Sequence, residues 1–464
     1  MTELDRSIER MADRICAILD KNLHGIWLHG SVVLGDFRPG WSDIDILVLT
    51  NGKISEQQAH RLVGLRQTML ETEPDDPYYR SFEGIFADLN EYLTGSFTRL
   101  VYWGTSGERI TDRWQQDTFA SYELAKYGRS VRGTDDKSIF AKPSVMDLRR
   151  AVREHYGSIR RFAVRTDEKL YSCGWLLDTA RCIYTLRNSD VIAKTQAGIW
   201  ALSEQIFEND EPLRKAIMIR QDPMVYKNRD DVKQWLKSLG PVVQRYADVL
   251  EREMYLADPC GTSSLSFRKT KQSAVPDNIL IYRDDQFDPA QCGGDDEPYF
   301  KLIHRLRDIK CPELPAKYKL ISCGAEELSR HISECYEKER LSVKELRARR
   351  TEQDLWLAVI DTSNGGRIAA SGIAEFDKEI REGSLEWIQV SADHRRQGLG
   401  RYIVCELLYR MLGKADFVTV SGKMNDPGNP LALYLSCGFN DRVIWHIVRK
   451  RDTAPADRKR SSSI

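Results

Sequence analysis

Residues 29–45 read HGSVVLGDFRPGWSDID, and three residue types in that run are equipped for chemistry on a phosphate. Asp43 and Asp45 stand two apart at the head of an apolar run (Ile44, Ile46, Leu47, Val48). On a strand that spacing puts both carboxylates on one face. Two like charges that close repel unless a cation sits between them, and a hard divalent ion is the natural occupant. Gly30 lets the backbone approach a phosphate closely, and Ser31 can donate to its oxygens. A phosphate cradle beside a carboxylate-held metal serves phosphoryl or nucleotidyl transfer. In RSFEGIFADL (80–89), Glu83 lies on another strand-like run with Phe82, Ile85, Phe86 and Leu89. Alone it reads as an edge carboxylate; beside the metal pair it can take the proton of an attacking hydroxyl as a general base.

Residues 20–205 resemble the polymerase-β-type nucleotidyltransferases, and most closely the aminoglycoside 3''-adenylyltransferases. The resemblance rests on Gly30-Ser31, eleven residues, then Asp43-x-Asp45, with the Glu83 strand and a helical region behind it. It implies a small mixed-sheet catalytic domain joined to an all-helical one, with ATP and substrate bound between them and Mg²⁺ on Asp43 and Asp45. It also implies that Arg181 and Lys194, thirteen residues apart, reach the nucleotide's phosphates. A triphosphate needs such positive charge opposite the metal. Residues 91–143 do not follow that family closely. There, Tyr102, Trp103 and Trp114 either stack on a sugar ring or anchor the domain junction. The acidic run ETEPDD (71–76) is available to a polycationic substrate or is simply solvated.

Several elements must hold these groups. VMDLRRAVREHYGSIRRFAVR, CGWLLDTARCIYTLR, TQAGIWALSEQIFE and DDVKQWLKSLGPVVQRYADVLEREM each carry a 3.6-residue apolar period, which predicts a helical bundle. Near 257–276 the chain loses periodicity and gains Ser, Thr, Gly and Pro. After that break, LWLAVIDTS, GRIAASGIAEF, GSLEWIQVS, ADFVTVSGK and DRVIWHIVRK read as strands, with SNGG (363–366) turning a hairpin. Between the third and fourth, HRRQGLGRYIVCELLYRML places Ile403, Val404, Leu407, Leu408 and Met411 at helical spacing. A strand, an Arg/Gly-rich turn and a helix form a pyrophosphate site, because amides at the helix start point outward. A Rossmann reading fails for want of Gly-x-Gly-x-x-Gly.

The turn Arg395-x-x-Gly398-x-Gly400, after a strand ending at Val390, resembles motif A of the GCN5-related N-acetyltransferases (GNAT). NPLALYLSCGF (429–439) resembles their motif B. The resemblance covers about 276–452. It implies that Val390 and the turn Arg395, Arg396, Gln397, Gly398, Leu399 and Gly400 hold acetyl-CoA through its pyrophosphate and pantetheine arm. It also implies that the Tyr434 hydroxyl protonates the leaving thiolate. Glu386, on the strand before motif A, is the candidate base that deprotonates the acceptor amine, directly or through water. Asn429 positions the pantetheine or caps the following helix. The segment 293–306 resembles an N-terminal extension of some such enzymes, where Asp295, Asp296 and Glu297 either line a site for a cationic amine or form a solvated turn.

At 464 residues the chain suits several domains. The expected α+β multidomain fold runs from a polymerase-β-type mixed sheet (1–143), through a helical bundle (144–256) and a linker (257–275), to a GNAT mixed sheet (276–452) and a disordered tail (453–464). Lys and Arg number 69 against 69 Asp and Glu, a balance that argues against stable nucleic-acid binding. No apolar stretch reaches membrane-spanning length, and MTELDRSIERMADRICAIL lacks a signal peptide's apolar core. Ten scattered cysteines without Cys-x-x-Cys read as reduced cytoplasmic thiols with no visible zinc site. Together these features predict a bifunctional antibiotic-modifying enzyme. One half would O-adenylylate an aminoglycoside-like substrate with Mg-ATP, and the other would N-acetylate an amine with acetyl-CoA. The alternatives are a regulatory enzyme that modifies protein or RNA, and a chain in which one half is a silent binding module.

Overall fold

Central strands buried on both faces build the first sheet. The computed structural model describes residues 2–104, 107–133, 135–263, 276, 278–336, 341–348 and 353–451. The tail expected at 453–464 and residues 264–275 of the linker lie outside the described residues. The chain divides into two compact units between Ala257 and Asp258.

Among the described residues of the first unit, six strands lie in the order β5-β4-β3-β2-β1-β6. They are β1 (Leu23–Leu28), β2 (Ile44–Thr50), β3 (Phe82–Asp88), β4 (Leu100–Trp103), β5 (Arg109–Thr111) and β6 (Arg129–Gly133). Only β2 and β3 run parallel, and Asp45 stands opposite Glu83 in their register. Strand β2 is buried throughout except at Asp45, as a central strand covered on both faces must be. On one face Ile26, Leu28, Ile46, Val48 and Phe86 form a core with α1 (Glu3–Leu19) and α3 (Glu56–Thr72). Thr2 and Ser55 start those helices with capping boxes. On the other face Trp27, Leu47, Leu49, Ile85 and Ala87 meet Leu124 of α5 (Thr118–Tyr127). Two short helices complete this part: α2 (Gly30–Val33), directly after β1, and α4 (Leu89–Thr94), directly after β3.

The helical bundle follows as α6 (Val145–Phe162), α7 (Tyr171–Asn188), α8 (Lys194–Ser203), α9 (Glu211–Gln221), α10 (Pro223–Tyr226), α11 (Asp230–Lys237) and α12 (Gly240–Ala257). Helix α7 is central, and its Leu176, Leu177, Ala180 and Ile183 are fully buried. Two charged side chains, Asp178 and Arg181, share that interior helix, so they must be paired.

Among the described residues, the second unit contains eight strands in the order β7-β14-β8-β13-β12-β11-β10-β9. They are β7 (Ile279–Arg283), β8 (Gly294–His304), β9 (Tyr318–Ser322), β10 (Trp356–Asp361), β11 (Arg367–Asp377), β12 (Glu382–Val390), β13 (Phe417–Lys423) and β14 (Asn440–Lys450). Its helices are α13 (Ala325–Cys335), α14 (Val343–Ala348), α15 (Leu399–Met411) and α16 (Pro430–Ser436). The expected α+β order is present: a mixed sheet, a helical bundle, then a second mixed sheet. The segment 293–306 corrects its sequence reading. It is no appendage but β8, paired between β13 and β14 inside the sheet. Residues 258–263 also belong to this unit. The Cys260 carbonyl accepts from Trp445 Nε1 at 3.0 Å, and the Thr262 carbonyl accepts from Lys301 Nζ at 3.0 Å. No helix among the described residues is long and apolar enough to cross a membrane.

Candidate active sites

The turn after β1 brings Gly30 to Asp45. A Cβ on Gly30 would lie 1.9 Å from Asp45 Oδ2, and φ is +65° there, so only glycine fits without displacing the carboxylate. Ser31 Oγ reaches the Asp43 carbonyl at 3.4 Å, and the His29 amide donates to the Asp45 carbonyl at 3.1 Å. Asp43, Asp45 and Glu83 thus converge at one end of the parallel pair. Burial, reinforced by Glu83, pushes the Asp43 carboxyl up to about 6. Asp45 is held well above the carboxylate range by burial, then by Glu123, Asp43 and Glu83. Such a concentration of negative charge fits a bound divalent cation, which would relieve the repulsion.

Mg²⁺ is expected to raise the thermal midpoint of the native protein, and Gly30→Ala to eliminate that rise, since the new methyl would clash with a carboxylate oxygen of Asp45. It also forces an alanine into left-handed backbone, at a cost of about 1 kcal/mol or more. Thermal melts with and without Mg²⁺ test this, and an undiminished Mg²⁺ shift would refute it.

Two cavities flank the carboxylates. One, of about 340 Å³, is bounded by Asp43, Glu83, Arg66, Arg80 and Glu108. The other, of about 240 Å³, is lined by Asp45, Glu83, His29, Tyr102, Trp114 and Asp117. Tyr102 donates to Glu83 Oε1 at 3.1 Å, fixing the orientation of the candidate base. Trp103 instead packs in the core against Phe86 and donates to the Leu62 carbonyl at 3.0 Å. Within ETEPDD, Glu73 pairs with Arg10 at 2.6 Å, and Asp76 accepts from Ser7 at 2.5 Å. These two carboxylates are engaged with α1.

Arg181 and Lys194 share one buried partner. Asp178 Oδ1 lies 2.9 Å from Arg181 Nη2 and 3.5 Å from Lys194 Nζ. Arg181 also lies 3.6 Å from Glu123, which neighbours Asp45. Burial favours neutral Lys194 and lowers its pKa despite Asp178. His155 bridges Asp178 at 2.8 Å and Asp117 at 3.2 Å while stacked 4.7 Å from Phe119. Asp117, Glu123, His155 and Asp178 were not singled out in the sequence. The available signal was an acid amid buried-helix apolar residues, as in CGWLLDTARC. The fold also gathers three metal-capable side chains: Asp178 and Cys182, one turn apart on α7, and His155 from α6. Arg181 and Lys194 already counter the Asp178 charge there.

Burial alone would lower the His155 pKa, but Asp178 and Asp117 outweigh it and raise it to about 9. Its stabilising charge is therefore fully present below the unfolded value near 6.5 and lost as pH rises through about 9. The contribution is on the order of 3 kcal/mol. The thermal midpoint of the wild type should fall between pH 7 and 10, and His155→Gln should flatten that slope.

In the second unit, the parallel β12–β13 pairing runs from Glu382–Phe417 to Leu385–Val420 and stops, while β12 continues to Val390. A bulge at Trp387, with φ +50°, shifts the β11–β12 register just there. Gly398 takes φ +80° as the N-cap of α15, and the first amides of that helix have no intrahelical acceptor. Arg395 Nε donates to the Val390 carbonyl at 3.3 Å, bracing the turn. The Gln397 side chain is engaged by the Tyr318 hydroxyl at 2.8 Å, so what the turn offers there is its backbone. Arg396 takes φ +61° in the turn, and Leu399 is buried beneath it. Gly400 has a packing role: a Cβ would meet Leu433 at 3.3 Å and Val390 at 3.5 Å. Asn429 caps α16 by accepting from the Ala432 amide at 3.3 Å.

Tyr434 is buried beside Phe300 and Phe439, and burial, then Tyr336 and Glu386, raise its pKa. Glu386 Oε1 accepts from Ser384 at 3.3 Å. Asp295, Asp296 and Glu297 are ion-paired with Arg451, His446 and Lys423.

A family model described as a nucleotidyltransferase domain matches residues 8–83, the stretch that carries Gly30, Ser31, Asp43, Asp45 and Glu83. That match supports a transferase activity. Among solved structures, the chain is similar to a spectinomycin adenyltransferase from Enterococcus faecialis, at 17% identity and a TM-score of 0.38, covering 52% of this chain and 97% of that one. It is also similar to a GCN5-related N-acetyltransferase from Sphaerobacter thermophilus, at 15% identity and a TM-score of 0.30, covering 46% and 68%. The ribosomal-protein-S18-alanine N-acetyltransferase of Escherichia coli is 19% identical, with a TM-score of 0.24 over 30% and 99% of the chains. No curated protein matches.

Proposed function

We propose that the first unit adenylylates a hydroxyl of an aminoglycoside-like small molecule with Mg-ATP, and that the second acetylates an amine with acetyl-CoA. The observation that carries the first half is the convergence of Asp43, Asp45 and Glu83, with Asp45 and Glu83 opposite one another in a parallel register. Asp43 and Asp45 would hold Mg²⁺, which supplies charge neutralisation at the phosphates. Glu83 takes the acceptor's hydroxyl proton, and the oxygen forms its bond to the α-phosphorus. The bond from that phosphorus to the bridging oxygen breaks, and pyrophosphate leaves. Gly30, Ser31, Arg181 and Lys194 restrain the triphosphate. The carboxylate-lined cavity with Tyr102 and Trp114 suits a cationic, sugar-like acceptor.

In the second reaction the acceptor nitrogen bonds to the thioester carbonyl carbon and the C–S bond breaks. Glu386 receives the amine proton, while Tyr434 donates its own to the departing thiolate. The outer edge of β12 beyond Leu385 suits strand-like pairing with a pantetheine arm, and the Arg395–Gly400 turn suits its pyrophosphate.

The test is mass spectrometry of aminoglycosides and aminocyclitols incubated with the protein, with Mg-ATP and acetyl-CoA supplied separately. An adenylyl mass shift that disappears in Asp45→Ala, and an acetyl shift reduced in Tyr434→Phe, are the expected results. No shift on any compound, from a protein that binds both co-substrates, would redirect the assignment to protein or RNA acceptors.

A further inference from the structure

The loop from Ser31 to Asp43 carries a buried carboxylate that the transfer chemistry leaves unused. Asp36 is 2% exposed and Arg220, on α9, is 4% exposed. Asp36 Oδ2 accepts from Arg220 Nε at 3.2 Å and from the Thr195 amide at 3.2 Å. Its Oδ1 accepts from Arg38 Nε at 3.2 Å, and its own amide donates to the Ser31 carbonyl at 2.9 Å. The same Arg220 guanidinium lies 5.2 Å from the ring centre of Trp41, two residues before Asp43. One arginine of the bundle therefore grips the middle and the far end of the loop that connects the phosphate cradle to the metal pair. The carboxylate it holds binds the first turn of α8, immediately after Lys194.

From this geometry we infer that Asp36 and Arg220 are a positioning pair, which keeps Ser31 and Asp43 in register with Lys194 so that a nucleoside triphosphate meets both sides of its site at once. The inference rests on the nucleotidyltransferase reading. Neither residue touches the nucleotide. Because the two anchor points belong to different layers, their spacing would otherwise drift with the sheet–bundle junction. Fixing it beforehand removes an ordering cost from binding. The pair acts through the β- and γ-phosphates, which Lys194 is positioned to restrain and which a nucleoside monophosphate lacks.

The full chain tests this with Asp36→Leu/Arg220→Met. The double substitution removes both buried charges together and so avoids stranding one of them. Titration calorimetry gives the affinity for Mg·ATP, and displacement gives that for Mg·AMP. The expected result is a fall of about tenfold or more in the ATP-to-AMP affinity ratio, with AMP binding unchanged and a native circular dichroism spectrum. General loosening of the fold would lower both affinities and leave the ratio alone. An unchanged ratio overturns the inference. Should the double variant not fold, Asp36→Asn decides by the same ratio, with a fall of about threefold expected and no change refuting the pair's role. Wild-type protein that fails to bind Mg·ATP would instead overturn the nucleotidyltransferase reading itself.

Discussion

On the proposed function, Asp45→Asn is expected to reduce nucleotidyl transfer by at least about 10³-fold, through loss of a proposed metal carboxylate, while raising the thermal midpoint of the metal-free protein. The two effects have one cause. Without a cation, the folded state must hold Asp45 among Glu123, Asp43 and Glu83, and all of that repulsion disfavours folding. Asp43 makes the sign explicit. Its folded pKa of about 6 lies above its ordinary value of 3.8, so folding takes up a proton at intermediate pH. Metal-free stability is therefore lost as pH rises from about 4 through 6, on the order of 2 kcal/mol from this residue. Added Mg²⁺ should stabilise the wild type more at pH 8 than at pH 5, and should act weakly on Asp45→Asn at either pH. Thermal melts across that pH range, with and without Mg²⁺, check both statements. An Asp45→Asn protein less stable than wild type at pH 8 without divalent ions would contradict this account. The trade of stability for a charged site is a common cost of function.

In the second unit, Tyr434→Phe should lower the turnover of acetyl transfer about 10³-fold while leaving the KM for acetyl-CoA and the melting temperature nearly unchanged. Phenylalanine fills the same space against Phe300 and Phe439, so the core keeps its packing. What disappears is a proton donor. Burial raises the Tyr434 pKa, so the hydroxyl keeps its proton through neutral pH, as a general acid requires and a general base could not use. Steady-state kinetics on whichever amine is acetylated decides the matter. A proportional rise in KM with constant turnover would assign Tyr434 to binding instead.

Much of both sites was legible because the relevant patterns are local. The two-residue spacing of Asp43 and Asp45, the apolar setting of Glu83, and the Arg395–Gly400 turn before an amphipathic helix each depend on a strand's or a helix's own period. Residues 29–45 needed no partner elsewhere to suggest a glycine turn beside a carboxylate pair. The roles of Trp103 and of ETEPDD were open for the opposite reason. Composition says what an indole or a carboxylate can do, whereas only packing decides that Trp103 joins Phe86 in the core and that Glu73 meets Arg10.

Other buried charge pairs join residues far apart along the chain. His155 meets Asp178 across 23 residues, and Asp36 meets Arg220 across 184. Such contacts follow from how α7, α8 and α9 close against the sheet, and no local period records them. Strand β8 teaches the same lesson. Its sequence looks like a polar prelude followed by an apolar run, yet its place between β13 and β14 is set by hydrogen-bond pairing with residues much later in the chain. The sequence by itself determined the candidate groups and the strands and helices that carry them. Tertiary structure alone decided which buried charges neutralise one another, because that depends on distances set by long-range packing.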